Sequence, residues 1–247
     1  MKKLFNWQFK LAAGLLLLSA LFYFTHYLIF RNGMTILDWF INNLAFVFIN
    51  VLIVTLILQR LLEYREKEAV MKKMNMVIGT FFSEVGVEAM KMFSRMDRDL
   101  PALGKKLLVS KDWSDKDFAE TIKNISSGDV AIENIQGGLP DMKKFLLERR
   151  AFLLGLLQNP NLLEHESFTE LLWAVFHLTD ELAHRKTFEN AAEPDLKHLA
   201  GDINRAYKLI IIHWLNYMKH LRIDYPYLFS LAVRTNPFDE KAEIEVK

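Results

Sequence analysis

Leu11–Phe30, LAAGLLLLSALFYFTHYLIF, and Ile36–Leu58, ILDWFINNLAFVFINVLIVTLIL, decide how the rest of the chain is read. The first run carries no formal charge, and the second has Asp38 as its single charge. At about 1.5 Å of rise per residue, either run as a helix reaches across a hydrocarbon layer of roughly 30 Å. Arg31, Asn32 and Gly33 interrupt the apolar sequence between them. Two spans joined by so short a turn predict a transmembrane hairpin. A cleaved signal peptide, with Lys2, Lys3 and Lys10 as its basic region, competes for the first run. Its apolar stretch is too long for a typical signal core of about 7–15 residues, and Leu18-Ser19-Ala20 is a poor cleavage triplet.

The flanking charges predict orientation. Lys2, Lys3 and Lys10 precede the first span, and Arg60, Arg65, Lys67, Lys72 and Lys73 follow the second, whereas the turn offers Arg31 alone. Basic residues stay inside, so both termini are expected in the cytoplasm and the hairpin in the inner (cytoplasmic) membrane. Trp7, Tyr27 and Trp39 fall near the expected interfaces, where amphipathic rings settle. On the second span Asp38, Asn42, Asn43 and Asn50 share an arc of about 140° at 100° per residue, a polar face in an otherwise apolar helix. Amides in lipid need hydrogen-bond partners, so this face is expected to bind the first span or another copy of the hairpin. A channel lined by the same residues would need several copies, and no TVGYG-type filter is present.

The remaining residues are long enough to bury a core of their own. Their pattern is helical throughout. Leu58 to Ser94 has no proline, and Val70, Met74, Val77 and Phe81 form a stripe at i, i+4, i+7 and i+11. The second span is therefore expected to continue as a stalk, kinked at Gly79 or Gly86. Further helices are expected at Pro101–Val109, from Ser114 to Ile125, from Pro140 to Gln158, from Ser167 to Lys186, from Pro194 to Arg222, and from Asp224 to Thr235. Ser167 and Glu170 have the spacing of a capping box. Ser126–Gly138 reads as the long loop. Val130–Ile135 and Ile244–Val246 are weak strand candidates, too short to carry a sheet. The expected fold class is all-α: an N-terminal transmembrane hairpin (1–59), a stalk (60–96), a cytoplasmic helical bundle (97–238) and a tail (239–247). The aromatic stretch 225–238 is expected to dock on the bundle.

Composition removes several functions. With 31 basic and 30 acidic side chains and a net charge of +1, the chain lacks the basic excess of a broad nucleic-acid surface. The absence of cysteine excludes a disulfide scaffold, thiolate metal sites and a cysteine nucleophile. Phosphate-binding glycine loops, His-Glu-x-x-His and Gly-x-Ser-x-Gly are all missing. One cluster offers chemistry. Glu170, His177, Glu181 and His184 share a helix face, and Glu181 and His184 form a Glu-x-x-His unit like those of di-iron bundles. His213 and His220 lie one heptad apart on the next helix. His177, Glu181, His184, His213 and His220 are thus the candidate ligands for iron, manganese or zinc. Against this, the face opposite the apolar stripe of a surface helix is normally solvated. A second Glu-x-x-His is absent.

Three runs carry a resemblance: Met74–Gly86 (MNMVIGTFFSEVG), Asn159–Leu182 (NPNLLEHESFTELLWAVFHLTDEL) and Tyr225–Asp239. With the two N-terminal runs they make the chain similar to a group of uncharacterised prokaryotic membrane proteins with two spans and a helical cytoplasmic region. The resemblance implies no activity, cofactor or site residue. The expected function is a membrane-anchored helical module, non-enzymatic, that binds a protein partner or relays a signal. A metal-dependent bundle enzyme or sensor is the alternative, and an oligomeric channel subunit a further one.

Overall fold

The structure, a computed structural model, describes residues 2–128, 130–163 and 165–245; the side chains of residues 2–8, 45, 69, 161 and 163 are not described. Trp7, Lys2 and Lys3 therefore lie outside the described side chains, and Val246 outside the described residues. The elements are α1 (Lys2–Phe30), α2 (Gly33–Phe81), a π turn (Phe82–Gly86), α3 (Val87–Ser94), α4 (Leu100–Lys106), α5 (Asp115–Ser127), α6 (Leu139–Glu148), α7 (Arg150–Leu157), α8 (Pro160–Leu163), α9 (Glu166–His184), α10 (Glu193–Asp224) and α11 (Pro226–Arg234). The chain is all-α, with an isolated antiparallel bridge between Asp97 and Ile132 as the extended pairing among the described residues. That bridge is all that forms of the Val130–Ile135 strand candidate. Two compact units divide the chain, residues 1–67 and 68–247.

In the first unit the sequence Arg31-Asn32-Gly33 makes the turn in two steps. Arg31 takes the left-handed conformation (φ 48°) and its N–H donates to Tyr27 O at 2.8 Å, closing α1. Asn32 Oδ1 then accepts from the N–H groups of Met34 (3.2 Å) and Thr35 (3.4 Å), opening α2 as a cap does. The apolar side chains face outward: Leu16, Leu17 and Phe48 are each 73% exposed. Asp38, Asn42, Asn43 and Asn50 are exposed too, and none makes a side-chain hydrogen bond among the described residues.

The second unit does the reverse. Met74, Ile78 and Phe81 from the end of α2 enter a core with Phe82, Phe93, Phe118, Phe168 and Tyr207. At the second of the two glycines where a kink is expected, the helix winds as a π turn, Phe82–Gly86. A Cβ there would sit 2.5 Å from a ring carbon of Phe82 and 3.0 Å from one of Phe81, so the glycine lets both rings stay inside. Helix α10 is central, with α9, α5, α11 and α3 against it, while α6, α7 and α8 lie on α9. Helix α5 begins with a complete capping box: Ser114 Oγ accepts from Asp117 N–H, and Asp117 Oδ2 accepts from Ser114 N–H at 2.7 Å.

Some boundaries differ from expectation. The helix expected from Pro140 to Gln158 is two, α6 and α7, broken at Arg149. The capping box at Ser167 and Glu170 does not form. Helix α9 begins one residue earlier, at Glu166, and His165 is its cap, with Nδ1 accepting from Phe168 N–H at 3.1 Å. An imidazole lone pair replaces the expected serine oxygen. Of the C-terminal aromatics, Phe229 is buried and Phe238 meets Trp214 edge-on at 5.7 Å, whereas Tyr227 is 71% exposed.

Candidate metal centre

Helices α9 and α10 are antiparallel neighbours joined by residues 185–192, so the C-terminal half of α9 lies beside the first turns of α10. Each offers a histidine and a carboxylate one turn apart: His177 and Glu181 on α9, His198 and Asp202 on α10. Residues at i and i+4 share a helix face, so the four groups converge from two sides.

Asp202 forms the floor. It is 5% exposed, and its Oδ2 is buried and makes no hydrogen bond. His177 Nε2 lies 3.5 Å from that oxygen and His198 Nε2 3.4 Å, neither in hydrogen-bond alignment. The two imidazoles form an exposed rim. One ligand atom from each of the three residues lies within 4.8 Å of the others. Metal–ligand distances of about 2.0–2.1 Å give a tetrahedron with edges of roughly 3.4 Å, which matches the two contacts to Asp202. An unpaired buried carboxylate oxygen is costly, and a cation held between three lone pairs removes that cost.

Glu181 stands slightly farther off, Oε1 at 4.0 Å from His177 Nε2 and Oε2 at 3.9 Å from His198 Nε2. Its Oε2 already accepts from Arg185 at 2.6 Å, and this hydrogen bond holds the carboxyl below the usual carboxylate range. Arg185 also grips Asp195 of α10 through two bonds, 2.7 and 3.1 Å, which lowers the Asp195 pKa as well. The guanidinium thus ties α9 to α10 beside the cluster and orients Glu181, the support that metal ligands commonly receive from a neighbouring hydrogen bond. Arg205 lies 3.8 Å from Asp202 Oδ1 and leaves Oδ2 free.

Of the five sequence candidates, the structure brings together His177 and Glu181. The others are elsewhere. His184 Nδ1 is bonded to Asp180 O of its own helix at 2.7 Å. His213 is buried; its Nε2–H donates to Ser167 O at 3.0 Å, and burial pushes its pKa down to about 4. His220 Nδ1 lies 2.7 Å from Asp224 Oδ2 and 3.2 Å from Asn75 Nδ2. His165, His213 and His220 instead line a cavity of about 370 Å³ with Asn75 and Tyr217. The residues missed were His198 and Asp202. Their signal was present: His-x-x-x-Glu on α9 is matched by His-x-x-x-Asp on α10. Glu170, the remaining acid of the α9 face, is outside the cluster.

Comparison with known proteins agrees with the two-unit division. A family model described as the C-terminal helical domain of uncharacterized protein MJ1433 matches residues 70–234, and one described as the N-terminal helical domain of MJ1433 matches residues 2–62. Uncharacterized protein MJ1433 of Methanocaldococcus jannaschii is 47% identical over 234 residues, covering 95% of this chain and 94% of that protein. No solved structure matches.

Proposed function

This chain belongs to the MJ1433 family of helical proteins, and from that premise we propose that it is a membrane-anchored protein whose cytoplasmic helical domain binds a divalent transition-metal ion. The ligands are His177, His198 and Asp202, with Glu181 completing the set. The observation that carries the reading is the buried Asp202 oxygen, without a hydrogen bond and faced by two imidazole nitrogens. Two imidazoles and one or two carboxylates suit zinc, iron(II) or manganese. The anchor rests on the outward apolar surface of α1 and the first half of α2, and the cytoplasmic placement on the basic residues that flank them. Because the chain carries none of the common catalytic motifs, the metal is assigned to a non-enzymatic role, holding α9 to α10 in a form that a protein partner or a relayed signal reads.

The test is the metal content of the detergent-purified chain, stripped with chelator and reloaded with zinc alone. About one zinc per chain is expected, falling at least tenfold in Asp202→Asn and His198→Ala but not in His184→Ala or His220→Ala. Less than about a tenth of a zinc per chain, or equal loading of Asp202→Asn with unchanged helicity, would overturn the metal assignment. Membrane fractionation and protease access from each side check the anchor separately.

A further inference from the structure

Helices α1 and α2 leave a groove between them of about 620 Å³, lined by Ser19, Tyr23 and His26 of α1 and by Trp39 and Asn43 of α2. His26 Nδ1 is buried there without a hydrogen bond. The hairpin does not satisfy its own polar groups: the Asn43 and Asn50 side chains make no hydrogen bond among the described residues. Hydrocarbon offers them none.

The spacing of α2 identifies what would. Asn43 and Asn50 are seven residues apart, which places them within about 20° of each other on a helix. Trp39, Phe46, Ile53 and Ile57 continue the same seam at alternating steps of four and three, and all are exposed. This is a heptad seam with asparagine at one repeated position, the arrangement that fixes register and copy number in parallel helix pairs. Copies inserted by the same topology rules are parallel, so a two-fold brings each asparagine against its own counterpart.

We propose that a second copy of this chain completes the hairpin, α2 against α2 in parallel, with Asn43 and Asn50 hydrogen-bonded across the two-fold. The proposal rests on the membrane reading above. The absence of cysteine makes it directly testable, because a single introduced cysteine is unique. In membranes containing the full chain, Phe46→Cys and Ile53→Cys are expected to form disulfide-linked dimers on mild oxidation. Phe48→Cys and Leu52→Cys, on the opposite face, are not. Replacing both Asn43 and Asn50 by Leu in the Phe46→Cys chain is expected to reduce cross-linking at least fivefold. A membrane-bound chain with no cross-linking at the seam, or with equal cross-linking on both faces, overturns the proposal and leaves the anchor standing; lipid or another protein in the groove would give the first of these results. Recovery of the chain in the aqueous fraction overturns both.

Discussion

Leu52 in the first unit is 59% exposed, and Leu171 in the second is fully buried. Leucine, isoleucine and phenylalanine dominate both regions, yet residues 9–62 turn them outward and residues 74–229 turn them in. Apolar content alone therefore does not define a core. In the second unit charged and apolar residues alternate with helical periodicity, so each helix has a side for water and a side for its neighbours. In the first the apolar residues surround α1 and cover α2 outside the face of Asp38, Asn42, Asn43 and Asn50, a pattern with no side kept for water.

The strongest way to break this contrast is to separate the regions. A chain limited to residues 68–247, which keeps Met74, Ile78 and Phe81, is expected in the aqueous fraction after cell lysis, while the full chain sediments with membranes. If the short form sediments as well, the reading of the first unit as a membrane anchor fails. Next come paired phenylalanines. Phe93→Ala in residues 68–247 is expected to cost about 3–5 kcal/mol in urea unfolding, through lost burial and the cavity left behind. Phe48→Ala in the full chain should leave the unfolding of the helical domain within about 0.5 kcal/mol of the parent.

His213 sharpens the contrast through pH. Its pKa falls from an ordinary value near 6.5 to about 4 because burial disfavours the imidazolium. The unfolded chain therefore binds more protons between those values, and stability must rise with pH across that window and be lost as pH falls through it. The full effect is on the order of 3 kcal/mol at about 1.4 kcal/mol per unit. Unfolding midpoints of the parent and of His213→Gln between pH 4 and 7 should converge toward the acid end. A parallel pair of curves would show that His213 does not titrate on unfolding. Zinc at a hundred times its dissociation constant should stabilise the helical domain by about 2.7 kcal/mol, an increment absent in Asp202→Asn and readable as a thermal shift. A smaller loss is expected at the α5 cap: Ser114→Ala should cost about 1 kcal/mol, measured the same way.

Much of the helical order was legible in residues whose physics is local. Arg31-Asn32-Gly33 announced a turn, Ser114 a helix start, and Val70, Met74, Val77 and Phe81 a stripe whose Met74 and Phe81 are buried, because each depends on neighbours within a turn or two. The α9 cap was not legible because His165 and Ser167 are alternative caps two residues apart, each able to take a different first-turn amide, and helix propensity does not say which position starts the helix. The break at Arg149 was hidden for another reason. No proline or glycine marks it, and the Arg149 guanidinium reaches Glu84 O at 3.3 Å, a contact set by packing. Half of the candidate site was readable on α9, where His177 and Glu181 stand on one face. The other half was not, since His198 and Asp202 gain meaning only when α10 folds back beside α9.

The helical class, the division between an outward-apolar and an inward-apolar region, and the turn that joins α1 to α2 are all written in the order of the residues, since periodicity, run length and capping are properties of short stretches of chain. The tertiary structure alone decided which polar groups meet. His213 went into the interior, His184 onto its own helix, and His198 and Asp202 against His177, because long-range pairing depends on how α9 and α10 dock, and that is fixed by burial on their apolar sides and not by the polar residues themselves.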